Sequence, residues 1–195
     1  MSNTTTPTLG YYRLQGIAQP IRLLLAYTGT AYTDKQYDYG LTADTYRVHW
    51  LKDKFTLGLE FPNLPYYLDG DVRLTQSHAI MRYVGRRHGL VATDETGLVR
   101  QDMLEQQLVD IRVAFAMGVP FSWGNNFTAD KAKYINDTLP PQLAQLSRFL
   151  GDNQWFTGRN INYVDFLAYQ QLDWLRQLSP ETLATVWTES DMGAQ

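Results

Sequence analysis

The chain has 195 residues, of which 44% are hydrophobic and 19% charged, enough for one large or two small globular domains with real cores. A net charge of −3 and a pI near 5.5 argue against nucleic acid or an anionic membrane surface as the main partner. Cysteine is absent, which excludes disulfides, Cys-ligated zinc and any cysteine nucleophile, and His49, His78 and His88 show no metal-ligand spacing, so no metal site is expected.

The first residues, Met1 to Thr6, are polar and carry no secretory h-region, and no apolar run is long enough to span a bilayer. A cytoplasmic location is therefore expected. Thr8 to Tyr12 is a short β-prone run. Gln19-Pro20 opens a helix whose buried stripe is Ile21, Leu24 and Leu25, and Gly29 ends it. Ala31 to Tyr39 holds a second strand. Asp38 to Leu59 is long and rich in aromatic and charged residues, and long loops of this kind usually carry function.

The stretch Phe61 to Gly70 is the most informative. Pro65 holds Leu64 extended, which leaves the Leu64 N–H and C=O to pair with something other than protein. Tyr66 to Leu68 reads as a strand, Asp69-Gly70 as a tight turn and Val72 to Leu74 as the return strand. Ser77 is placed as the cap of a helix bearing Ile80, Tyr83 and Val84 and ending near His88-Gly89. An extended backbone beside a helix N-terminus suits a peptide-like anion. The order is βαβ–ββα, which predicts an α/β domain over 8–88 with a mixed four-stranded sheet.

Composition changes between His88 and Thr96, and a second, all-α domain is predicted over 96–195. Leu98, Leu104, Leu108, Ile111 and Phe115 recur at helical intervals before Gly118, Pro120 and Trp123-Gly124-Asn125-Asn126 break the pattern. Thr128 is expected to cap the next helix, with Leu139, Leu143, Leu146 and Leu150 on one face and Pro140-Pro141 kinking it. Asn162-Tyr163-Val164-Asp165 has the form of a capping box, opening a helix that carries Phe166, Tyr169, Leu172 and Leu175.

Together these segments resemble a cytosolic glutathione transferase of the mu class. The resemblance rests on Leu9-Gly10-Tyr11, Gly16, Gln19 to Leu25, the block Trp50 to Tyr66, Gln76 to Ile80 and Asn162 to Phe166, and it runs from about Thr8 to about Leu178. It implies a thioredoxin-like glutathione-binding domain followed by a helical domain that forms the electrophile site. The implied activity joins the thiol of glutathione to a small hydrophobic electrophile, with glutathione as co-substrate and no cofactor. A free thiol has a pKa of about 8.5, and lowering it by two requires roughly 2.7 kcal/mol of preference for the anion. One hydrogen bond to a charged group supplies roughly 1.5–3 kcal/mol.

By resemblance the catalytic hydroxyl is that of Tyr11. The residues alone do not choose between it and Tyr12, which would face the opposite side of a regular strand. The resemblance also implies that Tyr12, Arg47, Trp50, Lys54, Asn63, Leu64, Gln76, Ser77 and Asp110 hold glutathione. Of these, Arg47, Trp50 and Lys54 take the glycine carboxylate, Gln76 and Ser77 the γ-glutamyl end, and Asp110 the γ-glutamyl amine bound to the neighbouring subunit. Leu14, Ile17, Ala116, Pro120 and Phe121 match the electrophile pocket. Phe61 and Arg82 match a homodimer interface, Phe61 as an aromatic key inserted into the partner.

Departures from the mu pattern are visible. Tyr12 replaces a tryptophan, Arg13 and Gln15 replace an aspartate and an arginine, and Pro120-Phe121 stand where a tyrosine assists some electrophiles. Beyond Leu178 the sequence does not resemble the family's closing helices, which would leave Phe166, Leu172 and Trp174 partly uncovered unless Trp187 and the tail cover them. Two rival readings follow: a non-catalytic ligand-binding or structural protein of the same fold, and a glutathione-dependent isomerase. A disulfide reductase is excluded by the missing cysteines.

Overall fold

The computed structural model describes residues 6–40, 42, 44–118 and 127–186. The chain divides into two compact units, Met1–Leu90 and Val91–Gln195. In the first, β1 (Thr8–Tyr12) is followed by a single 3₁₀ turn (Gly16–Ala18), α1 (Gln19–Tyr27), β2 (Thr33–Tyr37) and α2 (Val48–Asp53). Then come β3 (Tyr66–Asp69), β4 (Val72–Thr75) and α3 (Ser77–Arg87). The sheet order is β2-β1-β3-β4, with β1 parallel to β2 and antiparallel to β3, and β3 antiparallel to β4. This is the mixed four-stranded sheet expected. Leu9, Ile21, Leu24, Leu25, Ile80, Met81 and Val84 are buried, and α1 packs against α3. Their burial follows from the i, i+3, i+4 spacing within each helix.

Three local expectations are corrected. The hairpin turn is Gly70-Asp71, because Asp69 still pairs with Val72 as a strand residue. The Asp69 carboxylate accepts from the Tyr83 hydroxyl at 2.8 Å and meets Arg87 at 3.4 Å, and Gly70 takes the positive φ (+60°) that such hairpin turns need at their first central position. Ser77 is not the cap of α3. Gln76 holds that position at φ +70° without a side-chain capping bond, and Ser77 is the buried first helical residue. The stretch 38–59 contains α2, whose six residues bury only Trp50 and so leave little apolar periodicity to read.

The second unit is helical: α4 (Glu95–Gly118), α5 (Phe127–Lys133), a π turn (Tyr134–Thr138), α6 (Leu139–Leu150), α7 (Tyr163–Leu178) and α8 (Pro180–Val186). Thr128 lies inside α5 rather than capping it. Pro140 and Pro141 sit in the first turn of α6, where a missing N–H costs little, so the interruption falls upstream as the π turn. Leu139, Leu143, Leu146 and Leu150 are buried along one face, as their spacing predicts.

The capping box forms at α7. The Asn162 side chain accepts from the Val164 N–H at 3.2 Å, and the Asp165 carboxylate accepts from the Asn162 N–H at 2.8 Å. The other Asp165 oxygen accepts from the Phe156 N–H at 2.9 Å. The α7 face differs from expectation. Leu167, Ala168, Gln170, Gln171 and Leu175 are buried, while Tyr169 is exposed and Phe166 and Leu172 are half-buried. The helix packs against both α4 and α8, so it buries more than one stripe. Leu183 of α8 is buried, and the Trp174 ring stacks on Phe115 at 5.9 Å. Trp187, Pro120, Phe121 and the run Trp123 to Asn126 lie outside the described residues. Among the described residues no helix is long and apolar enough to cross a membrane.

Candidate active site

β1 brings two tyrosines to its C-terminal end, and both are only 9% exposed. The strand stops there: the Arg13 N–H bonds to the Tyr37 carbonyl at 2.8 Å, and the Leu14 N–H turns back onto the Tyr12 carbonyl at 2.7 Å. The two rings therefore do not part to opposite surroundings as a longer regular strand would make them. They meet edge to face at 5.8 Å and share one buried cluster with Ala18, Tyr37, Trp50, Leu59, Leu64 and Tyr66, against which Ile17 packs.

Two glycines make room for this cluster. Gly10 pairs with Tyr66 across β1 and β3, and a Cβ on it would fall 2.1 Å from the Tyr66 ring. Gly16 follows the strand at φ +45°, and a Cβ there would lie 2.6 Å from the Tyr11 hydroxyl oxygen and 2.7 Å from its Cε1. The Tyr11 hydroxyl thus rests against bare backbone at the turn into α1. That turn is tied down by Arg22, which donates to the Leu14 and Gln15 carbonyls at 3.0 and 3.4 Å and forks onto Asp34 at 3.2 and 3.4 Å. Arg13 pairs with Asp38 at 3.3 Å.

Gly16→Ala is expected to reduce turnover about tenfold or more by pushing the Tyr11 hydroxyl off its position, and to cost about 1 kcal/mol of stability for a side chain at positive φ. Steady-state kinetics check it: in a Tyr11→Phe background, where the hydroxyl is already gone, the same change should add little.

The other aromatics of the cluster are committed. The Tyr37 hydroxyl donates to Asp53 at 2.8 Å and lies 3.0 Å from the Tyr66 hydroxyl. Burial first, then these hydrogen bonds, raises Tyr37 far above its ordinary value, and burial also raises Tyr66 and Tyr12. Trp50 is 4% exposed, stacks on Tyr66 at 6.0 Å and meets Tyr37 edge-on at 5.6 Å.

Leu64 is buried and joined to Pro65 by a cis peptide bond. Its N–H is not unengaged as expected, for it donates to the Asn63 side-chain oxygen at 2.9 Å. An asparagine preceding an extended residue can reach that N–H with its own side chain. Gln76 is exposed and Ser77 buried at the start of α3. Arg47 and Lys54 flank α2, with Lys54 Nζ 5.1 Å from the Phe55 ring centre. Leu14 is exposed and Ile17 half-buried. The structure thus gathers Tyr11, Tyr12, Trp50, Leu64 and Ile17 in one cluster.

Asp110 is exposed on α4 and Ala116 is half-buried there, both in the second unit. Phe61 is 74% exposed, and Arg82 is half-buried on α3. Among the described residues no group of three or more His, Asp or Glu side chains is arranged to hold a metal ion.

Sequence reasoning missed Tyr39 and Tyr46, which surround the Arg47 guanidinium at 5.8 and 4.6 Å from their ring centres. The aromatic richness of the stretch 38–59 was the available signal.

Comparison with known proteins shows the family. Residues 7–86 match the family model described as glutathione S-transferase, N-terminal domain, and residues 110–188 match the corresponding C-terminal domain. The C-terminal match extends past Leu178 and through α8, so the likeness to the family is longer than the resemblance from Thr8 to Leu178 implies. Glutathione S-transferase Mu 2 of Rattus norvegicus is 46% identical over 176 residues, covering 90% of this chain and 79% of that protein. Glutathione S-transferase B of Cavia porcellus is 44% identical over the same shares. Among solved structures, the glutathione S-transferase Blo t 8 matches with a TM-score of 0.83 at 37% identity, covering 94% of this chain and 84% of that one. The Pi-class enzyme of Onchocerca volvulus gives 0.80 at 25% identity, covering 93% and 83%. The chain belongs to the glutathione S-transferase family and is mu-like within it.

Proposed function

We propose that this chain joins the thiol of glutathione to small hydrophobic electrophiles, with the Tyr11 hydroxyl donating a hydrogen bond to the thiolate. It is a transferase, and glutathione is its co-substrate. The observation that carries the Tyr11 role is the seat of that hydroxyl, against Gly16 at the end of β1 and within the cluster that also holds Leu64 and Trp50. A donor held by packing loses little entropy when it meets an anion, so most of its hydrogen-bond energy is available to favour the thiolate.

The remaining roles are assigned from chemistry and resemblance. Glutathione is a peptide with two carboxylates. Leu64 offers extended backbone to its cysteinyl part, and for its N–H to reach the ligand the Asn63 side chain must yield that bond. Gln76 and Ser77, at the N-terminal end of the eleven-residue α3, suit the γ-glutamyl carboxylate. Arg47, Trp50 and Lys54 suit the glycine carboxylate, and Tyr12 walls the site beside Tyr11. Asp110 is assigned to a partner-bound γ-glutamyl amine, and exposed Phe61 with Arg82 to a homodimer interface. Leu14 and Ile17 offer apolar surface to the electrophile. A cytoplasmic location completes this reading.

The test is conjugation of glutathione to 1-chloro-2,4-dinitrobenzene, followed by product absorbance. Saturable turnover is expected. A folded chain that binds glutathione but turns over neither this nor other aryl and epoxide electrophiles would be a ligand-binding protein of the same fold.

A further inference from the structure

Arg47 is an exposed arginine in an unusual setting. Its φ is +57°, in the left-handed region that residues other than glycine seldom adopt. Its N–H donates to the Tyr39 carbonyl at 2.8 Å, which pins the backbone. Arg13, Arg22, Arg87 and Arg176 each meet a carboxylate within 3.4 Å. Arg47 meets none among the described residues, and its guanidinium lies against two tyrosine rings instead, 4.6 Å from Tyr46 and 5.8 Å from Tyr39.

Those rings also touch each other and, through Tyr12, the buried cluster. Tyr39 and Tyr46 cross at 5.2 Å and 88°, and their hydroxyls approach to 3.3 Å. Tyr39 also meets Tyr12 edge-on at 4.9 Å, and Tyr12 belongs to the buried cluster. A continuous line of aromatic contacts therefore runs from Tyr11 through Tyr12 and Tyr39 to the guanidinium of Arg47.

An unrestrained arginine loses much rotamer freedom when it binds an anion. Contact with the two rings, together with hydrogen bonding of the guanidinium to the Tyr39 hydroxyl, removes part of that loss beforehand and leaves the remaining N–H donors for a carboxylate. We propose that Tyr39 and Tyr46 are positioning residues that hold the Arg47 guanidinium ready for the glycyl carboxylate of glutathione. They act on affinity for glutathione, not on the chemical step. This rests on the assignment of Arg47 to that carboxylate.

The experiment compares steady-state kinetics of the full chain and its variants Tyr39→Leu, Tyr46→Leu, Tyr39→Phe, Arg47→Ala and Tyr39→Leu/Arg47→Ala. Each is assayed with glutathione and with γ-glutamylcysteine, which lacks the glycine. Tyr39→Leu and Tyr46→Leu are each expected to raise the KM for glutathione about three- to tenfold with kcat unchanged, and Tyr39→Phe, which keeps the ring and loses the hydroxyl bonded to Arg47, to fall between Tyr39→Leu and the wild type. The effect should vanish in the Arg47→Ala background and with γ-glutamylcysteine. A KM change that persists in either setting, a fall in kcat instead, or no change in KM would overturn the positioning role while leaving the Arg47 assignment standing. If Arg47→Ala itself leaves the KM for glutathione unchanged, the assignment fails and the positioning role falls with it.

Discussion

Tyr11→Phe should lower kcat/KM for conjugation at pH 7 by about 3- to 40-fold, while the Kd for glutathione rises by no more than about fivefold. The range follows from the hydrogen bond removed: a neutral donor to a charged acceptor is worth roughly 1.5–3 kcal/mol, each 1.36 kcal/mol is one pKa unit, and the rate at pH 7 falls with the fraction of bound thiol that is ionised. The bond favours the thiolate over the thiol, so its loss raises the pKa of the bound thiol by about one to two, back toward the free value of about 8.5. At pH 7 the wild-type complex is largely thiolate and that of the variant largely thiol. The defect therefore shrinks as pH rises, and by pH 9 most of it is gone. A pH profile of kcat/KM, with thiolate absorbance measured in the binary complex, separates this from misfolding, which pH would not repair. Tyr12→Phe serves as the contrast and should change the rate less than threefold, since the Tyr12 ring lies against Tyr39 and Tyr11 and can pack without its hydroxyl. Wild-type kcat/KM in Tyr11→Phe would assign the thiolate to another donor.

What could be read from residues alone divides along physical lines. Elements with one buried face were legible: β1, the α1 stripe of Ile21, Leu24 and Leu25, and the α6 leucines all follow from period and caps. The face of α7 was not, because a helix packed on two neighbours buries polar residues such as Gln170 and Gln171, and apolar spacing does not foresee them. α2 escaped notice because a six-residue helix with one buried side chain has almost no period. At the site, residue type and order pointed to a peptide-like anion near Leu64 and Ser77, but not to the thiolate donor. Tyr11 and Tyr12 are equally buried, so burial does not choose between them either. The resemblance chooses Tyr11, and the bare backbone of Gly16 against its hydroxyl is the structural feature that sets it apart. The aromatic clamp on Arg47 needed coordinates. Tyr39 and Tyr46 are seven residues apart, and only the left-handed turn at Arg47 folds them onto one guanidinium.

Asp165→Ala is expected to destabilise the helical unit by about 2–4 kcal/mol at neutral pH. Asp165 is 7% exposed, and each of its oxygens accepts one backbone N–H, from Phe156 at 2.9 Å and from Asn162 at 2.8 Å. Alanine leaves both donors buried without partners, at about 1–3 kcal/mol each, and the α7 cap loses its reciprocal half. Part of the loss is offset because the buried carboxylate is itself costly. Burial raises its pKa from 3.8 to about 6, against the lowering effect of the two N–H groups. The rise corresponds to about 3 kcal/mol in favour of the protonated form. The sign follows from linkage. A group whose folded pKa lies above its unfolded value contributes stability that is fully present below about 3.8 and is lost as pH rises through about 6. The Asp165 contribution therefore falls between about pH 4 and 6 and is flat above it. Asp165→Asn removes the ionisation and keeps one acceptor, so it should cost less than half as much as alanine at pH 7 and lose this pH dependence. Urea unfolding of the full chain at pH 4, 5, 6 and 7, read by far-ultraviolet circular dichroism, measures the wild type and both variants. For a chain of this size, 2–4 kcal/mol corresponds to a fall in Tm of roughly 4–16 °C. If Asp165→Asn and the wild-type chain show the same stability at every pH, the carboxylate at the start of α7 is not held as described. If Asp165→Ala is as stable as the wild type, the two N–H groups have found other partners, and the capping box is not what secures the helix.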